Sequence, residues 1–200
     1  RFPVSSNDSP SSYRTFIAVE IGDAPRGAIA LAQSDLRDAG ADASWVRTAN
    51  LHVSVAFLGD TVLDAIPRIA ALLDKVTPLQ PAFDVDIAGG GTFGRPDSPR
   101  VIWAGLRRAQ PLVALQAEIS RGLVELGLPV DARPYTPHIT LGRVKSSRNR
   151  PLLAEAIRRH AADEYGVNRV SRIVHMRSIL NPAGSEYSVL HAAPLGRDHA

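Results

Sequence analysis

The chain shows two kinds of hydrophobic pattern that alternate along its length. Residues 13–21 are mostly apolar, which predicts a strand, and residues 24–40 have apolar positions at helical spacing before Gly40, which predicts a helix. Residues 50–60 predict a second strand that ends at Gly59-Asp60. Residues 61–76 then predict a helix capped by Thr61 or Asp60, and residues 82–88 alternate apolar and acidic positions, as a half-exposed strand does.

The same order of elements returns in the second half. It predicts a strand, a helix, a strand and a helix, followed by a final pair of strands, at residues 100–106, 110–128, 136–144, 150–166, 170–180 and 185–195. Arg14 precedes His52 by 38 residues, and Arg100 precedes His138 by the same 38 residues. This register, with a period of 86 residues, predicts an internal duplication of a βαβαβ unit.

The duplication predicts an α+β fold with two pseudo-symmetric βαβαβ lobes. Their antiparallel sheets would face a central cleft, and their helices would cover the outside. We expect one bilobal domain over residues 13–195, with a first lobe at about 13–90 and a second at about 100–195. The Gly/Pro-rich stretch 89–99 would be the turn between the lobes, and residues 1–12 and 196–200 would be tails, the first of them disordered.

Composition narrows the function classes. The 200 residues contain no apolar run near the ~18 needed to cross a bilayer, so we expect a soluble protein with no membrane partner. The absence of cysteine excludes disulfides, thiolate catalysis and Cys-based metal sites, and it fits the cytoplasmic location that we expect. The net charge is only +3, but five basic residues between positions 131 and 150 bracket His138, which predicts an anionic ligand there.

Two short motifs carry candidate chemistry: His52-Val-Ser54-Val and His138-Ile-Thr140-Leu. On a strand, residues i and i+2 share a face, so each histidine lies beside its hydroxyl while the apolar residues point to the core. Two lobes related by a pseudo-twofold axis would bring both pairs together. Two imidazoles with pKa values near ~6.5 can act as base and acid, and two hydroxyls can bind phosphate oxygens. This set suits phosphodiester cleavage without a metal.

Other sites are weaker candidates. His160 and His199 are expected to be solvated, and His175 and His191 to lie in the core or line the cleft. Neither motif has a nearby carboxylate or a recognised His-based metal spacing, so we expect no metal and no cofactor. Ser54 is not in a G-x-S-x-G elbow, which disfavours a serine hydrolase. The glycine-rich residues 89–95 lack the Gly-Lys-Ser/Thr end of a phosphate loop.

The paired His-x-Ser/Thr-x motifs resemble those of the 2H phosphoesterase superfamily. Within it, the chain is similar to the bacterial and archaeal RNA 2′,3′-cyclic phosphodiesterases, first named 2′-5′ RNA ligases. Further likeness lies in RTFIAVEI, in Trp45-Val46 shortly before NLHVSVAFLGD, and in RVIWAGL, PYTPHITLGR and SILNPAGSEYSVL. The likeness covers residues 13–195.

The resemblance implies a metal-independent enzyme that opens RNA 2′,3′-cyclic phosphate ends to 2′-phosphates, with reversible 2′-5′ ligation through the same groups. It implies His52 as proton donor and His138 as proton acceptor. Phosphate would be bound by Ser54, Thr140 and Arg143, although simple alternation places Arg143 on the face opposite His138. Tyr135 and Tyr187 would stack on a base or simply pack.

The chain departs from the usual first motif. Ser54 replaces the usual threonine, and Ala56 replaces a basic or polar residue, which puts substrate size and affinity in question. We expect a monomer whose partner is RNA with a 2′,3′-cyclic phosphate end or a small cyclic nucleotide. The alternatives are a phosphodiesterase for small cyclic nucleotides or 2′-5′ oligoadenylates, and a non-catalytic RNA-binding module.

Overall fold

The computed structural model describes residues 11–95, 98–182 and 184–197. Short turns of 3₁₀ helix lie at Thr48–Asn50 and Thr77–Leu79. The strands and α-helices, in chain order, are β1 (Ser12–Glu20), α1 (Asp23–Asp38), β2 (Ala43–Trp45), β3 (His52–Val62), α2 (Ala65–Val76), β4 (Phe83–Arg95), β5 (Ser98–Arg107), α3 (Gln110–Glu125), β6 (His138–Val144), α4 (Arg150–His160), β7 (Glu164–Val170), β8 (Arg172–Asn181) and β9 (Gly184–Pro194).

The strands form a curled antiparallel sheet in the order β7-β4-β5-β6-β3-β1-β8-β9, with β2 paired to β6. In the described residues, β3 and β6 are joined by a single pair, Val53 with Ile139. The sheet therefore consists of two four-stranded halves, which we call half 1 (β3-β1-β8-β9) and half 2 (β6-β5-β4-β7). The expected α+β class, with two antiparallel lobes and helices outside, is confirmed.

The lobe boundaries expected from the sequence need correction. The third strand predicted for each repeat lies in the other half of the sheet. Strand β4, from the first repeat, pairs with β5, and β8, from the second repeat, pairs with β1. Only two residues separate β4 from β5, and so short a connection joins antiparallel neighbours. The period of 86 identifies the repeat but not the strand pairing, so the halves are not the sequential segments 13–90 and 100–195.

The outer face of the sheet carries a core that is continuous across both halves. Fully buried Ile17, Val53 and Ile139 pack there with the apolar sides of the helices. Gly122 of α3 lies so close to Leu72 of α2 that a Cβ atom at position 122 would be 2.2 Å from the Leu72 Cδ1 atom. A smaller apolar group lies on the inner face of half 1, and its members are Phe16, Ala18, Val174, Met176 and Tyr187.

The second helix begins later than predicted. Asp60 and Thr61 belong to β3, and α2 starts at Ala65. Thr61 is buried, and its hydroxyl makes a 2.7 Å hydrogen bond with that of Thr15 on β1. This cross-strand bond uses the hydroxyl that was expected to cap the helix.

The glycine-rich segment is also not the predicted turn, because Gly89–Arg95 continues β4 as far as its end. Its glycines make room for a large ring: a Cβ atom at Gly91 would lie 2.6 Å from Cζ2 of Trp103 on β5. Strands β2 and β7 were not predicted. Residues 164–166 were assigned to the preceding helix, which ends at His160.

The chain ends differ in part from the predicted tails. Residues 1–10 and 198–200 lie outside the described residues, but Ser12 already opens β1. Gly196 makes backbone hydrogen bonds with Gln80 and Ala82, so an isolated bridge holds this position, which is not a free tail. None of the helices in the described parts of the chain is long and apolar enough to cross a membrane.

His175 on β8 is fully buried on the outer face, so it lies in the core and not in the cleft. Neither ring nitrogen has a hydrogen-bond partner among the described residues. Burial, helped by the nearby His191, lowers the pKa of His175 to about 4. An unfolded chain would bind a proton there near pH ~6.5, so the folded state is destabilised as the pH falls from ~6.5 towards 4.

We therefore predict that His175→Leu removes part of the acid sensitivity of the fold. Between pH 7 and pH 4.5, the wild type should lose about 2 to 3 kcal/mol more unfolding free energy than the variant. Urea unfolding at both pH values measures this difference. Equal losses in the two proteins would contradict a neutral, buried His175.

Candidate active site

The two motif histidines stand at the start of the two central strands. The antiparallel pair of Val53 with Ile139 sets His52 opposite Thr140, and Ser54 opposite His138. Val53 and Ile139 are fully buried on the outer face, so the four polar side chains share the inner face, where the cleft lies. The strand register alone therefore brings together both histidines and both hydroxyls.

Each imidazole is held by the same backbone contact. Nδ1 of His52 lies 2.7 Å from the carbonyl oxygen of Asn50, and Nδ1 of His138 lies 2.7 Å from that of Thr136. A carbonyl oxygen only accepts, so each Nδ1 carries a proton and donates it. The proton of each neutral ring is therefore fixed on Nδ1, and Nε2 is left with a lone pair.

The Ser54 hydroxyl lies beside Nε2 of His52. Its Oγ is 3.1 Å from His52 Nε2, and the serine side chain is exposed to the cleft. While His52 is neutral, Ser54 donates to Nε2; when His52 is protonated, the direction reverses. An anion in the cleft can therefore accept from both Ser54 and a charged His52.

Aromatic rings form the walls around both histidines. The ring of Phe16 lies 4.9 Å from that of His52, and Tyr187 meets His52 edge-on at 5.5 Å. On the other side, Phe93 meets His138 edge-on at 4.8 Å. A cavity of about 220 Å³ opens next to His52, bordered by Glu20, Met176 and Tyr187 of the sheet and by Asn50 of the 3₁₀ turn before β3.

The surroundings favour neutral imidazoles before an anion binds. Burial is the main cause that lowers the pKa of His52; the Asn50 carbonyl opposes it, and the charge of His138 adds to it. Burial also lowers the pKa of His138, with the Thr136 carbonyl opposing and the Arg143 charge adding to the effect. His52 and His138 thus influence each other's charge and titrate as a coupled pair.

Arg143 lies on the inner face, where its charge acts on His138, contrary to the expectation from simple alternation. In the pairing with β5, Trp103 faces Thr140 and Ile102 faces Gly142, so Leu141 is an extra residue in β6. This bulge keeps both Leu141 and Gly142 buried and returns Arg143 to the inner face. Its positive charge acts on His138 and on Tyr187.

The two tyrosines have different surroundings. The Tyr135 hydroxyl donates a 2.9 Å hydrogen bond to the carbonyl oxygen of Ser54, and its ring packs against the outer core. Tyr135 therefore ties the loop before β6 to β3. Tyr187 instead lies in the wall beside His52, where a base could reach it.

The remaining histidines lie outside this cluster. His160 is mostly buried, not solvated as expected: its side chain is 14% exposed, and Nδ1 lies 2.6 Å from Asp163 Oδ2. His191 bonds to Asp74 of α2 at 2.7 Å, and His199 lies outside the described residues. No group of three or more His, Cys, Asp or Glu able to hold a metal occurs in the part of the chain that the structure describes.

Some site residues were not predicted. Phe16 lies in a segment that the sequence showed only to be apolar, and Phe93 in one that it showed only to be glycine-rich. Alternation along β1 could have placed Phe16 on the inner face. The carbonyl groups of Asn50 and Thr136, which bind the two histidine rings, cannot be recognised from residue type, because every residue has a backbone carbonyl. Both lie two residues before a histidine, which the repeat itself could have suggested.

A family model and similar curated proteins point to the same family. Residues 21–178 match the family model of the 2′-5′ RNA ligase superfamily. A protein of Methanothermobacter thermautotrophicus named RNA 2′,3′-cyclic phosphodiesterase is 35% identical over 176 residues, which cover 88% of this chain and 95% of that protein. A protein of the same name from Archaeoglobus fulgidus is 32% identical over 177 residues, covering 88% and 97%.

Solved structures show the same fold. The crystal structure of TT0787 of Thermus thermophilus matches with a TM-score of 0.80 at 28% identity, covering 93% of this chain and all of that one. E. coli LigT complexed with 3′-AMP matches with a TM-score of 0.76 at 22% identity, covering 92% and 98%.

We predict that both cleft histidines titrate below pH ~6.5 in the protein without an anion and carry their neutral proton on Nδ1. Inorganic phosphate should raise both pKa values, because a bound anion stabilises the imidazolium. Titration by ¹⁵N-resolved NMR, with His52→Gln and His138→Gln for assignment, measures this. An Nε2-protonated tautomer, or no response to phosphate, would contradict the arrangement.

Proposed function

The chain belongs to the 2′-5′ RNA ligase superfamily, and from this membership we propose that it hydrolyses RNA 2′,3′-cyclic phosphate ends to 2′-phosphates. The relatives named RNA 2′,3′-cyclic phosphodiesterase support this activity. The observation that carries the proposal is the pair of imidazoles, each fixed through Nδ1, on one face of two adjoining strands.

We assign His138 as the base. Its Nε2 takes a proton from a water molecule as the water oxygen attacks phosphorus. A base must be neutral before the reaction, and burial together with the Arg143 charge lowers the pKa of His138 in this direction. Arg143 can also contact the phosphate, whose charge grows in the transition state.

His52 is assigned as the acid. As the bond between phosphorus and O3′ breaks, His52 Nε2 gives its proton to O3′, and the phosphate remains on O2′. Before an anion binds, the pKa of His52 is lowered, so it needs the bound phosphate to become protonated. Substrate binding thus charges the acid at the moment when it is needed.

The hydroxyls of Ser54 and Thr140 bind the non-bridging phosphate oxygens. Ser54 already reaches His52 Nε2 and can turn to the phosphate when His52 takes up a proton. The serine in place of threonine keeps this function, because only the hydroxyl is used. Ala56 packs towards the outer core, so the exchange at this position does not remove a group from the cleft.

One chain supplies all the groups assigned to the reaction, because they lie on its two central strands, β3 and β6. We therefore propose that residues 13–195 act as a single catalytic domain in a monomer. The absence of cysteine fits a cytoplasmic enzyme. The same groups could join ends in reverse, through a 2′-5′ bond, because the forward and reverse reactions share one transition state.

We predict that His52→Ala and His138→Ala each lower turnover of an oligoribonucleotide 2′,3′-cyclic phosphate by ~10²- to 10⁴-fold. Ser54→Ala and Thr140→Ala should each cost about 1 to 3 kcal/mol of transition-state binding. Separation of 2′- from 3′-phosphate product on a gel, with EDTA present, measures both rate and regiochemistry. His191→Ala is the matched control on the outer face.

Normal turnover in both histidine variants would contradict the mechanism. Wild-type protein that binds the oligonucleotide without converting it would indicate an RNA-binding module. Turnover of mononucleotides or oligoadenylates alone would identify the small-molecule phosphodiesterase.

The pH dependence gives an independent check. The rate should follow a bell, falling at low pH as the base is protonated and at high pH as the acid is deprotonated. Arg143→Gln removes a positive charge that lowers the pKa of His138, so its low-pH limb should move to higher pH. Arg121→Gln, on outer helix α3, is the control. An unmoved limb would contradict the action of Arg143 on His138.

A further inference from the structure

Phe57 is a large apolar side chain exposed on the inner face. Its side chain is 55% exposed, whereas its neighbours Ala56 and Leu58 pack into the outer core. Two bulges in β3 explain this: in the pairing with β1, Val55 and Leu58 are extra residues. They keep His52, Ser54 and Phe57 on the same face of the strand.

Phe57 is the repeat partner of Arg143. Each follows its motif histidine by five residues, and in each strand one bulge residue lies between the motif hydroxyl and this position. The two side chains therefore flank the histidine pair from opposite sides of the pseudo-twofold axis. Where half 2 offers a guanidinium, half 1 offers an aromatic ring.

Half 1 supplies its own guanidinium from the next strand. Arg14 of β1 lies over the Phe57 ring at 4.7 Å, and its charge also acts on Tyr187. Among the described residues, Arg14 makes no ion pair, although Asp60 is its cross-strand neighbour. Several other arginines of the sheet are instead held by carboxylates, as Arg172 is by Glu20 and Arg169 by Asp84. The donor groups of Arg14 are therefore available to an anion.

The Arg14–Phe57 stack is continuous with the candidate active site. Phe16 contacts His52 at 4.9 Å and is the direct cross-strand neighbour of Phe57. In the register with β1, His52 faces Glu20 and Phe57 faces Phe16, four residues further along, so at ~3.3 Å per residue the stack is about 13 Å from His52. This is too far for the phosphate that His52 touches, but within reach of the adjoining nucleotide.

We propose that the Arg14–Phe57 stack binds the nucleotide on the 5′ side of the terminal nucleotide of single-stranded RNA. The Phe57 ring stacks on the base, and Arg14 donates to the phosphate that links the two nucleotides. An exposed ring beside an unpaired guanidinium is the combination that single strands bind without regard to sequence. This inference rests on the proposed function and makes the enzyme selective for RNA ends over free cyclic mononucleotides.

The test compares cytidine 2′,3′-cyclic phosphate with a tetranucleotide that ends in the same cyclic nucleotide. The wild type should have the higher kcat/KM for the tetranucleotide. Phe57→Ala and Arg14→Gln should each lower the ratio of the two kcat/KM values by about tenfold, and Phe57→Tyr should preserve it. A wild-type ratio near one, or variants that slow both substrates equally, would overturn the proposal.

The fold provides a matched control on the opposite face of β1. Arg177 of β8 lies over the Tyr13 ring at 3.8 Å, and Arg177 is paired with Thr15, which points into the outer core. Arg177→Gln breaks the same kind of stack but should leave the ratio as in the wild type. A similar fall in this control would show that the lower ratio comes from a general disturbance of the sheet around β1 and would overturn the role of the Arg14–Phe57 stack.

Binding separates this inference from the proposed function. Fluorescence anisotropy with a tetranucleotide that already ends in a 2′-phosphate needs no turnover. Phe57→Ala should weaken this binding about tenfold, and Arg14→Gln should also reduce the slope of log affinity against log salt by about 0.7. Wild type that turns over no cyclic phosphate would overturn the proposed function, whereas unweakened binding in Phe57→Ala would overturn the stack.

Discussion

A single backbone pairing, Val53 with Ile139, determines how the two halves of this protein meet. It joins β3 to β6 at the pseudo-twofold axis, and antiparallel geometry then places each histidine opposite the hydroxyl of the other motif. Because both paired residues are fully buried on the outer face, a slip of one residue would turn the histidines into the core. The apolar packing beneath the sheet therefore fixes the register on which the chemistry depends.

The surroundings of the two imidazoles are alike in structure but differ in charge. Both donate through Nδ1 to a backbone carbonyl two residues earlier, so the local backbone determines which ring nitrogen carries the proton. The charge of Arg143 acts on His138, whereas the residue at the equivalent position after His52 is the uncharged Phe57. The repeat thus supplies two equivalent imidazoles whose surroundings differ at one position per half: a cation on the side of His138, the proposed base, and an aromatic ring on the side of His52, the proposed acid.

Much of this could be predicted from the sequence, because it follows from periodicity. The repeat, the α+β class and the shared face of each histidine with its hydroxyl all come from spacings of 86 and two residues. Strand exchange between the halves could not be predicted, since pairing depends on tertiary packing. Arg143 was expected on the wrong face because a bulge at Leu141 changes the alternation, and bulges have no reliable sequence signal. The glycines of β4 were predicted to form a turn, but they belong to a strand, where the missing side chain leaves space for the Trp103 ring.

In the proposed mechanism, both histidines act on one phosphorus atom from opposite sides. A crystal structure with a nucleoside 2′,3′-cyclic vanadate, which imitates five-coordinate phosphorus, would show where each imidazole lies. We predict His52 Nε2 about 3 Å from the vanadate oxygen at the 3′ position, and His138 Nε2 at the same distance from the oxygen in the place of attacking water. A vanadate held by one histidine alone, or both imidazoles on the same side of the metal, would contradict it.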